Sequence, residues 1–188
     1  TMIYSNSNKF MFYHIPKTAG QSLHNVLRKY TVGDHVNEYY VTRDMTHTAV
    51  EHTWDKYKGS EYFSFAIVRN PYDRMFSLYN FLTRIGLINE PLEQFINNMD
   101  REPSQFRLLN HNGVVPLSFV GKFENLEEDF NFIADKINID ERCTDLPKVN
   151  MDQTSNITYK EAFNNELKDI IDKKHHDDFI NFNYEKQL

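Results

Sequence analysis

The residues best suited to binding an anion form one short stretch near the start of the chain, Lys17–Ser22. Lys17 supplies a mobile cation, and Thr18 and Ser22 supply hydroxyl groups. Gly20 allows a backbone to approach a ligand closely, and a helix that begins here has free N–H groups in its first turn. This set suits a phosphate or sulfate group, although an ordinary strand–helix corner with a solvated lysine is the simpler alternative. The usual nucleotide P-loop is a different motif, because its Lys follows the Gly.

A second set of candidate anion ligands follows the apolar run Tyr62–Val68. Arg69 comes directly after that run, and Ser77 lies further along a helix that Pro71 can begin. An Arg at the carboxyl end of a parallel strand points into the crevice where open α/β sheets bind ligands. A guanidinium can bind a phosphate dianion with two parallel hydrogen bonds. Both strand ends therefore carry groups that suit an anion.

Two strand–turn–helix units must position these residues. Phe10–Ile15 is an aromatic and apolar run typical of a buried strand, and the strand ends at Pro16 because proline cannot donate to a sheet ladder. The helix after each strand has an apolar stripe at helical spacing, formed by Leu23, Val26, Leu27 and Tyr30 in the first and by Tyr72, Met75, Tyr79 and Leu82 in the second. The two units predict an α/β protein with a central, mostly parallel sheet flanked by helices.

The rest of the chain is interpreted as scaffold. Predicted helices begin at Thr46 with Val50, Trp54 and Tyr57 on one face, at Pro91 with Leu92, Phe95, Ile96 and Met99 inward, after a capping arrangement of Asn125 and Glu128, and after a capping box of Thr158 and Glu161. Leu117–Phe123 is a predicted strand, and Thr31–Thr42 and Asp140–Met151 are predicted loops. The polar segment Arg101–Asn112 is expected to be a loop on the acceptor side of a site.

Composition restricts the class of protein. The 188 residues are 40% hydrophobic, so we expect one domain over residues 1–188 with one sizeable core. The net charge of -6 argues against nucleic-acid binding through bulk charge. The single Cys143 allows no internal disulfide, and no apolar run reaches the roughly 18 residues of a membrane span.

One run, His175-His176-Asp177-Asp178, contains potential metal ligands. Neighbouring residues on a helix point in different directions, and no Cys or His spacing elsewhere completes a zinc site. We therefore predict the end of a surface helix here, and no metal.

Both anion-binding stretches resemble motifs of one enzyme family. His14–Ser22 resembles the 5′-phosphosulfate loop of the sulfotransferases, and Val68–Tyr79 resembles their 3′-phosphate motif. The closest likeness in motif is to the Golgi carbohydrate sulfotransferases of the heparan sulfate 2-O type. Further similarity lies in Thr46-His47-Thr48-Ala49, in Phe119–Leu126 and in Asn150–Ser155. Gln21 departs from the pattern, since relatives usually have Thr or another small residue there.

The resemblance implies a P-loop-like three-layer fold, 3′-phosphoadenosine 5′-phosphosulfate (PAPS) as donor, the bisphosphate PAP as product, and no metal. The residues implied to hold the 5′-phosphosulfate are Lys17, Thr18, Ala19, Gly20, Gln21 and Ser22, and those implied to hold the 3′-phosphate are Arg69 and Ser77. Lys17 is also implied to neutralise the leaving phosphate during transfer.

The general base is predicted to be His47. Its place in Thr46-His47-Thr48-Ala49 resembles that of the catalytic histidine in glycan O-sulfotransferases, and a neutral imidazole suits proton removal near pH 7. His52 points about 140° away from His47 on a helix, so the two are not expected to face one acceptor. Glu51 is an alternative base or a partner for the imidazole. A first-turn surface histidine without a catalytic role is the plain alternative for His47.

Two other classes of protein stay open on the sequence. One is a nucleotide or small-molecule kinase with a variant phosphate loop, and the other is a non-catalytic nucleotide-binding module. A P-loop kinase usually needs an acidic residue at a strand end to help hold Mg²⁺, whereas the second strand here ends at Arg69, which favours a sulfotransferase.

The expected acceptor is a hydroxyl group on a glycan or small molecule, with no nucleic-acid partner and no membrane span in this chain. Glycan sulfotransferases are anchored in the Golgi membrane, whereas this chain has a single Cys143 and no anchor. We therefore expect a cytoplasmic location. The Golgi lumen is the alternative if the chain is a trimmed piece of a longer protein.

Overall fold

A computed structural model of the chain describes residues 2–31, 50, 53–55, 61–99, 102–147 and 157–186. Within these ranges the strands form a four-stranded sheet in the order β1-β2-β3-β4, with β1 Met2–Ser5, β2 Phe10–Tyr13, β3 Phe63–Val68 and β4 Phe119–Lys122. β1 is antiparallel to β2, whereas β2, β3 and β4 are parallel to one another. The two strands that were predicted to precede the anion-binding loops are therefore direct neighbours with the same direction.

Eight α-helices with defined bounds lie in the described ranges. They are α1 Gly20–Leu27, α2 Pro71–Arg84, α3 Leu92–Asn97, α4 Gln105–Leu109, α5 Leu126–Lys136, α6 Tyr159–Ala162, α7 Asn165–Lys174 and α8 His176–Asn181. None of the helices in the described ranges is long and apolar enough to cross a membrane.

The strands form a layer between two groups of helices because their side chains alternate between the two faces of the sheet. On one face Phe12 stacks on Phe65 with ring centroids 5.3 Å apart, and α1 and α5 cover these rings. On the other face Met11, Tyr13 and Val68 pack against Leu108 and Leu109 of α4, and against Val50 and Phe182. The predicted α/β class, with a mostly parallel central sheet flanked by helices, is confirmed.

A separate apolar cluster joins the helices beyond the carboxyl edge of the sheet. Tyr72 and Met75 of α2 pack there with Phe95 of α3, Phe163 and Leu167. The predicted inward face of α3 is confirmed for Phe95, Ile96 and Met99, while Leu92 is only partly buried. The cluster buries one side of α2. It therefore holds in place the helix that carries Ser77.

Three local predictions are wrong. The predicted loop over Arg101–Asn112 contains α4, which Ser104 caps by accepting a hydrogen bond from the Arg107 N–H at 3.1 Å. Asn125 is the residue before α5, but its side chain makes no cap hydrogen bond. The predicted last helix is divided into α6, α7 and α8, although its capping box of Thr158 and Glu161 is confirmed.

The run His175–Asp178 also differs from the surface helix end that was predicted. His175 and Asp178 are almost fully buried, whereas His176 and Asp177 are exposed. In the part of the chain that the structure describes, no group of three His, Cys, Asp or Glu side chains is arranged to hold a metal ion.

Some predictions fall on residues outside the described ranges. These are the loop over Thr31–Thr42 apart from Thr31, the segment Asn150–Ser155, and Thr46, His47, Glu51, His52 and Tyr57 of the predicted helix. Residues 50 and 53–55 are helical, Val50 is fully buried and Trp54 packs on the same apolar cluster, as the predicted stripe requires. That residues 1–188 form a single domain stays a prediction.

Candidate functional site

The loop between β2 and α1 turns sharply through two residues with left-handed backbone. Lys17 has φ 70° and Ala19 has φ 63°, a region that costs a non-glycine residue free energy and concentrates at functional sites. Thr18, between them, is buried and its hydroxyl donates to the carbonyl oxygen of Ile15 at 3.0 Å. The Thr18 hydroxyl therefore holds the loop together.

The amino end of α1 presents its first N–H groups without a side-chain cap. Ala19 is the N-cap residue and its carbonyl oxygen accepts from the N–H groups of Ser22 at 2.9 Å and Leu23 at 3.1 Å. The preceding N–H groups, of Gly20 and Gln21, lie before the first helical hydrogen bond. The first turn also contains no acidic residue. The positive end of the helix dipole is therefore open to an anion.

Gln21, the residue that departs from the family pattern, does not crowd this helix end. Its side-chain Nε2 donates to Oδ1 of Asn25, one turn along the helix, at 3.2 Å on the exposed surface. Its backbone N–H stays in the first turn of α1. The substitution therefore changes the side-chain contact and keeps the backbone group.

Gly20 is required by a neighbouring ring. A Cβ placed on Gly20 would lie 1.8 Å from Cδ2 of His14, which is far closer than any non-bonded contact allows. His14 follows β2, and its ring lies nearly parallel to that of Phe12, with centroids 6.0 Å apart. From the sequence, Gly20 was interpreted as a residue that lets a ligand approach the backbone closely. Within the protein, its missing side chain makes room for the His14 ring.

His14 is a neutral packing residue. Burial, followed by nearby positive charge, lowers the pKa of the imidazole from 6.5 to about 3. The ring is therefore uncharged at neutral pH, and it supports the start of α1.

The second strand end lies directly against the first loop. Nη1 of Arg69 donates to the carbonyl oxygen of Lys17 at 3.1 Å, and the Lys17 ammonium lies 4.2 Å from the centroid of the Phe81 ring. Phe81 is one helical turn beyond Ser77 on α2, so the half-buried Ser77 shares the face of α2 that Lys17 approaches. The structure thus brings Lys17, Arg69 and Ser77 into one region.

The Arg69 side chain is held in place by its neighbours. Its Nε donates to Oδ2 of Asp73 at 2.7 Å, and its guanidinium carbon lies 4.1 Å from the centroid of the Phe123 ring. Among the described residues, Nη2 has no hydrogen-bond partner. The guanidinium is therefore oriented by Asp73 at Nε, by the Lys17 carbonyl oxygen at Nη1 and by Phe123 on one face. The Asp73 carboxylate offsets part of the charge.

Arg74 ties this region together from inside the protein. It is 1% exposed, and it donates from Nε to the carbonyl oxygen of Pro16 and from Nη1 to that of Pro103, both at 3.2 Å. Burial lowers the pKa of its guanidinium, while the charges of Asp178 and Glu102 oppose that shift. Arg74 therefore anchors the loop between β2 and α1 to α2 and to the segment before α4.

A segment after β4 completes the region from a third side. Glu124 accepts from the backbone N–H of Asn70 at 2.6 Å and from the Tyr184 hydroxyl at 2.9 Å, while Asn70 caps α2 by accepting from the Tyr72 N–H at 3.0 Å. Burial and the Glu124 carboxylate raise the pKa of Tyr184, so the phenol remains a donor. The similarity noted in Phe119–Leu126 therefore falls on residues that support Arg69 and α2.

A cavity of about 430 Å³ opens beside the segment that was expected on the acceptor side. Its charged lining residues carry both signs, and they are Glu102, Arg107, Lys174 and Asp177. The cavity therefore has no single electrostatic preference for an anionic or a cationic acceptor.

The fold and the two adjoining strand ends define an α/β protein that gathers Lys17, Arg69 and the uncapped start of α1 at the carboxyl edge of its sheet. The model of the Sulfotransferase family matches residues 1–185, so the chain belongs to this family. It is accordingly a sulfotransferase enzyme. No curated protein and no solved structure matches the chain. The closer likeness to the heparan sulfate 2-O type stays a prediction.

Gly20→Ala is expected to destabilise the protein by about 1 to 3 kcal/mol, because the added methyl group overpacks the His14 ring. In the His14→Ala background the same change should cost much less, since the ring is gone. Urea denaturation of the four proteins in this double-mutant cycle measures the coupling. Equal costs of Gly20→Ala in both backgrounds would show that the two residues do not interact.

His14 also predicts a pH dependence of stability. Because its folded pKa of about 3 lies below the unfolded value of 6.5, its contribution is fully present above the unfolded pKa and is lost as pH falls toward the folded one. The free energy of unfolding of the wild type should therefore fall more steeply than that of His14→Gln between about pH 6.5 and pH 4. Parallel pH profiles of the two proteins would contradict the neutral, buried imidazole.

Proposed function

We propose that this sulfotransferase transfers a sulfuryl group from PAPS to a hydroxyl group of a glycan or small molecule. The observation that carries the proposal is the hydrogen bond from Arg69 Nη1 to the carbonyl oxygen of Lys17, which joins the two anion-binding strand ends. A donor with one charged group at its 5′ end and a separate phosphate on its 3′ oxygen fits two adjoining sites. A nucleotide with a single phosphate chain would use only one of them.

The first strand end has the donor set that a 5′-phosphosulfate needs. We assign that role to Lys17, Thr18, Ala19, Gly20, Gln21 and Ser22 as a group. The support is the uncapped amino end of α1, where N–H groups converge, and the nearby ammonium of Lys17. Backbone donors in fixed positions stabilise an anion without having to reorganise when it binds.

We assign the 3′-phosphate to Arg69 and Ser77. Nε and Nη1 of Arg69 are engaged by Asp73 and by the Lys17 carbonyl oxygen, so we assign the phosphate oxygens to its Nη2 donors, which have no hydrogen-bond partner among the described residues. Ser77 adds a hydroxyl on the face of α2 that Lys17 approaches. The kinase alternative is weakened by the same position, because it places a cation where a magnesium-binding carboxylate is usual.

The transfer we propose is an in-line displacement. The acceptor oxygen forms a bond to sulfur while the bond from sulfur to the 5′-phosphate oxygen breaks, the bonding electron pair leaves with that oxygen, and the acceptor proton passes to a base. Lys17 is placed to stabilise the charge that grows on the leaving oxygen. His47 is our proposed base, with Glu51 and His52 as alternatives.

The support for a base in that segment comes from the residues beside it. The hydroxyl groups of Thr53 and Tyr13 are 2.9 Å apart, and Val50 packs in the cluster that contains Tyr13 and Ile15. The helical residues at 50 and 53–55 thus lie against the end of β2, next to the proposed phosphosulfate loop. A residue of the same segment is a reasonable proton acceptor for a reaction at that loop.

The proposed donor is tested by its 3′-phosphate. We expect the wild type to bind PAP more tightly than AMP, and we expect Arg69→Ala to weaken PAP binding by about 1.5 to 3 kcal/mol because a charge-assisted contact is lost. Calorimetry with both nucleotides measures this. Arg142→Ala, which removes an arginine paired with Asp135 at 3.0 Å, is the matched control and should keep the preference. Equal affinity of the wild type for PAP and AMP would overturn the proposed donor.

Lys17→Ala should lower kcat by about 100-fold or more with a smaller effect on donor affinity, because the contact strengthens as charge develops in the transition state. Initial rates at saturating donor, together with calorimetry, separate the two quantities. Lys136→Ala is the control, since Lys136 also lies over a phenylalanine ring, 5.3 Å from the centroid of Phe132. Normal turnover of Lys17→Ala would mean that this lysine contributes only to binding.

The proposed base is tested by comparing His47→Ala, His52→Ala and Glu51→Gln. His47→Ala should lose sulfuryl transfer while its affinity for PAP is unchanged, because the proton acceptor is absent and the anion site is intact. An acceptor screen of glycans and small alcohols with labelled PAPS supplies the substrate for the assay. If His47→Ala retains transfer and one of the other variants loses it, that other residue is the base.

A further inference from the structure

The carboxamide of Gln105 pairs with both backbone polar groups of Arg69. The Arg69 N–H donates to Oε1 of Gln105 at 2.8 Å, and Nε2 of Gln105 donates to the Arg69 carbonyl oxygen, also at 2.8 Å. Gln105 is 0% exposed, so water does not compete for these bonds. A single side chain thus fixes the peptide groups on both sides of the Arg69 Cα atom.

The location of these bonds explains why they are needed. β3 ends at Val68, and the last residue pair of its parallel register joins Val68 to Lys122. Arg69 is the next residue, where the chain leaves the sheet and strand pairing no longer satisfies its N–H and C=O. Gln105 supplies to Arg69 the two backbone hydrogen bonds that a neighbouring strand would otherwise make. Arg69 is the residue whose guanidinium we assign to the 3′-phosphate.

A buried carboxylate determines which way the Gln105 amide faces. Oδ2 of Asp178 accepts from Nε2 of Gln105 at 3.2 Å and from its backbone N–H at 3.0 Å, while Oδ1 accepts from the Phe106 N–H at 2.7 Å. A flipped amide would place Oε1 against the Asp178 carboxylate, which is repulsive. Only the orientation with Nε2 toward Asp178 offers Oε1 to the Arg69 N–H.

We propose that Gln105 is a positioning residue for recognition of the donor's 3′-phosphate, acting through Arg69, with Asp178 setting its orientation. The inference rests on the proposed function, in which Arg69 binds that phosphate. Gln105 holds the backbone of Arg69, while Asp73 and Phe123 hold its side chain. Together they prevent the guanidinium from turning away when no ligand is present, so little ordering remains to be done on binding.

The test compares PAP with AMP, which lacks the 3′-phosphate, in calorimetric titrations of the full chain. Gln105→Met keeps the length of the side chain and removes both bonds to Arg69. We expect it to reduce the ratio of PAP to AMP affinity by about 10-fold, mostly through weaker PAP binding, since one or two buried hydrogen bonds that order the ligand group are lost. Gln105→Asn, which is shorter by one methylene, should reduce the ratio in the same direction and carries the comparison if Gln105→Met does not fold.

Two controls separate positioning from a general loss of stability. Leu109→Ala removes a buried side chain from the same helix, so it should lower the melting temperature and leave the affinity ratio unchanged. In the Arg69→Ala background, Gln105→Met should produce no further change in the ratio, because Gln105 acts only through the missing guanidinium.

The outcomes are distinct. A wild type with equal affinity for PAP and AMP overturns both the proposed donor and this role of Gln105. A wild type that prefers PAP, with folded Gln105 variants that keep the preference within about 2-fold, overturns the role of Gln105 alone. So does an equal reduction by Leu109→Ala, or a further reduction in the Arg69→Ala background.

Discussion

The parallel pairing of β2 with β3 is the constraint on which the rest of the site depends. Phe12 is opposite Phe65 and Tyr13 is opposite Ala66, so the two strands end within a few residues of each other at the same edge. After β2 the backbone leaves the sheet through the strained residues Lys17 and Ala19. After β3 it leaves through Arg69, whose backbone groups are hydrogen-bonded by Gln105. The Arg69 side chain reaches the Lys17 carbonyl oxygen only because the strands run in the same direction and in this register.

Around that edge the protein uses hydrogen bonds to backbone carbonyl groups more than ion pairs. Arg74 illustrates the reason. A fully buried guanidinium is costly to desolvate, and its bonds to the Pro16 and Pro103 carbonyl oxygens satisfy two of its donors. Those two carbonyl groups belong to segments with no strand or helix partner. One side chain therefore stabilises two irregular segments close to the proposed anion site.

The sequence predicted the parts of the structure that depend on local pattern. Both strand–loop–helix units, the apolar face of α1 and the positions of Lys17 and Arg69 follow from apolar runs, helical spacing and the location of Pro16 and Pro71. β1 was missed, because four residues are too few for periodicity and its place comes from pairing with β2. α4 was predicted to be a loop because its segment is polar. One of its polar residues, Gln105, is buried and hydrogen bonds to the backbone of the distant Arg69.

Features that depend on contacts between distant residues were beyond sequence reasoning. Gly20 looked like a ligand-binding glycine, and only the position of the His14 ring reveals its packing role. The His175–Asp178 run was predicted to be an exposed helix end because neighbouring helix residues point in different directions and no other ligands complete a zinc site. His175 and Asp178 are buried, and Asp178 hydrogen bonds to the start of α4, but nothing in the order of residues identifies which two turn inward.

The bond between Asp178 and Gln105 has a consequence for how the protein matures. Asp178 is 73 positions after Gln105 and lies in α8, the last helix of the described chain, whereas β2 and β3 are complete by residue 68. During synthesis on the ribosome, the sheet edge can therefore form well before the residue that orients Gln105 has emerged. The region around the two strand ends is completed last, when α8 docks on α4, so a chain that is still being made has the strand ends without the support of Asp178.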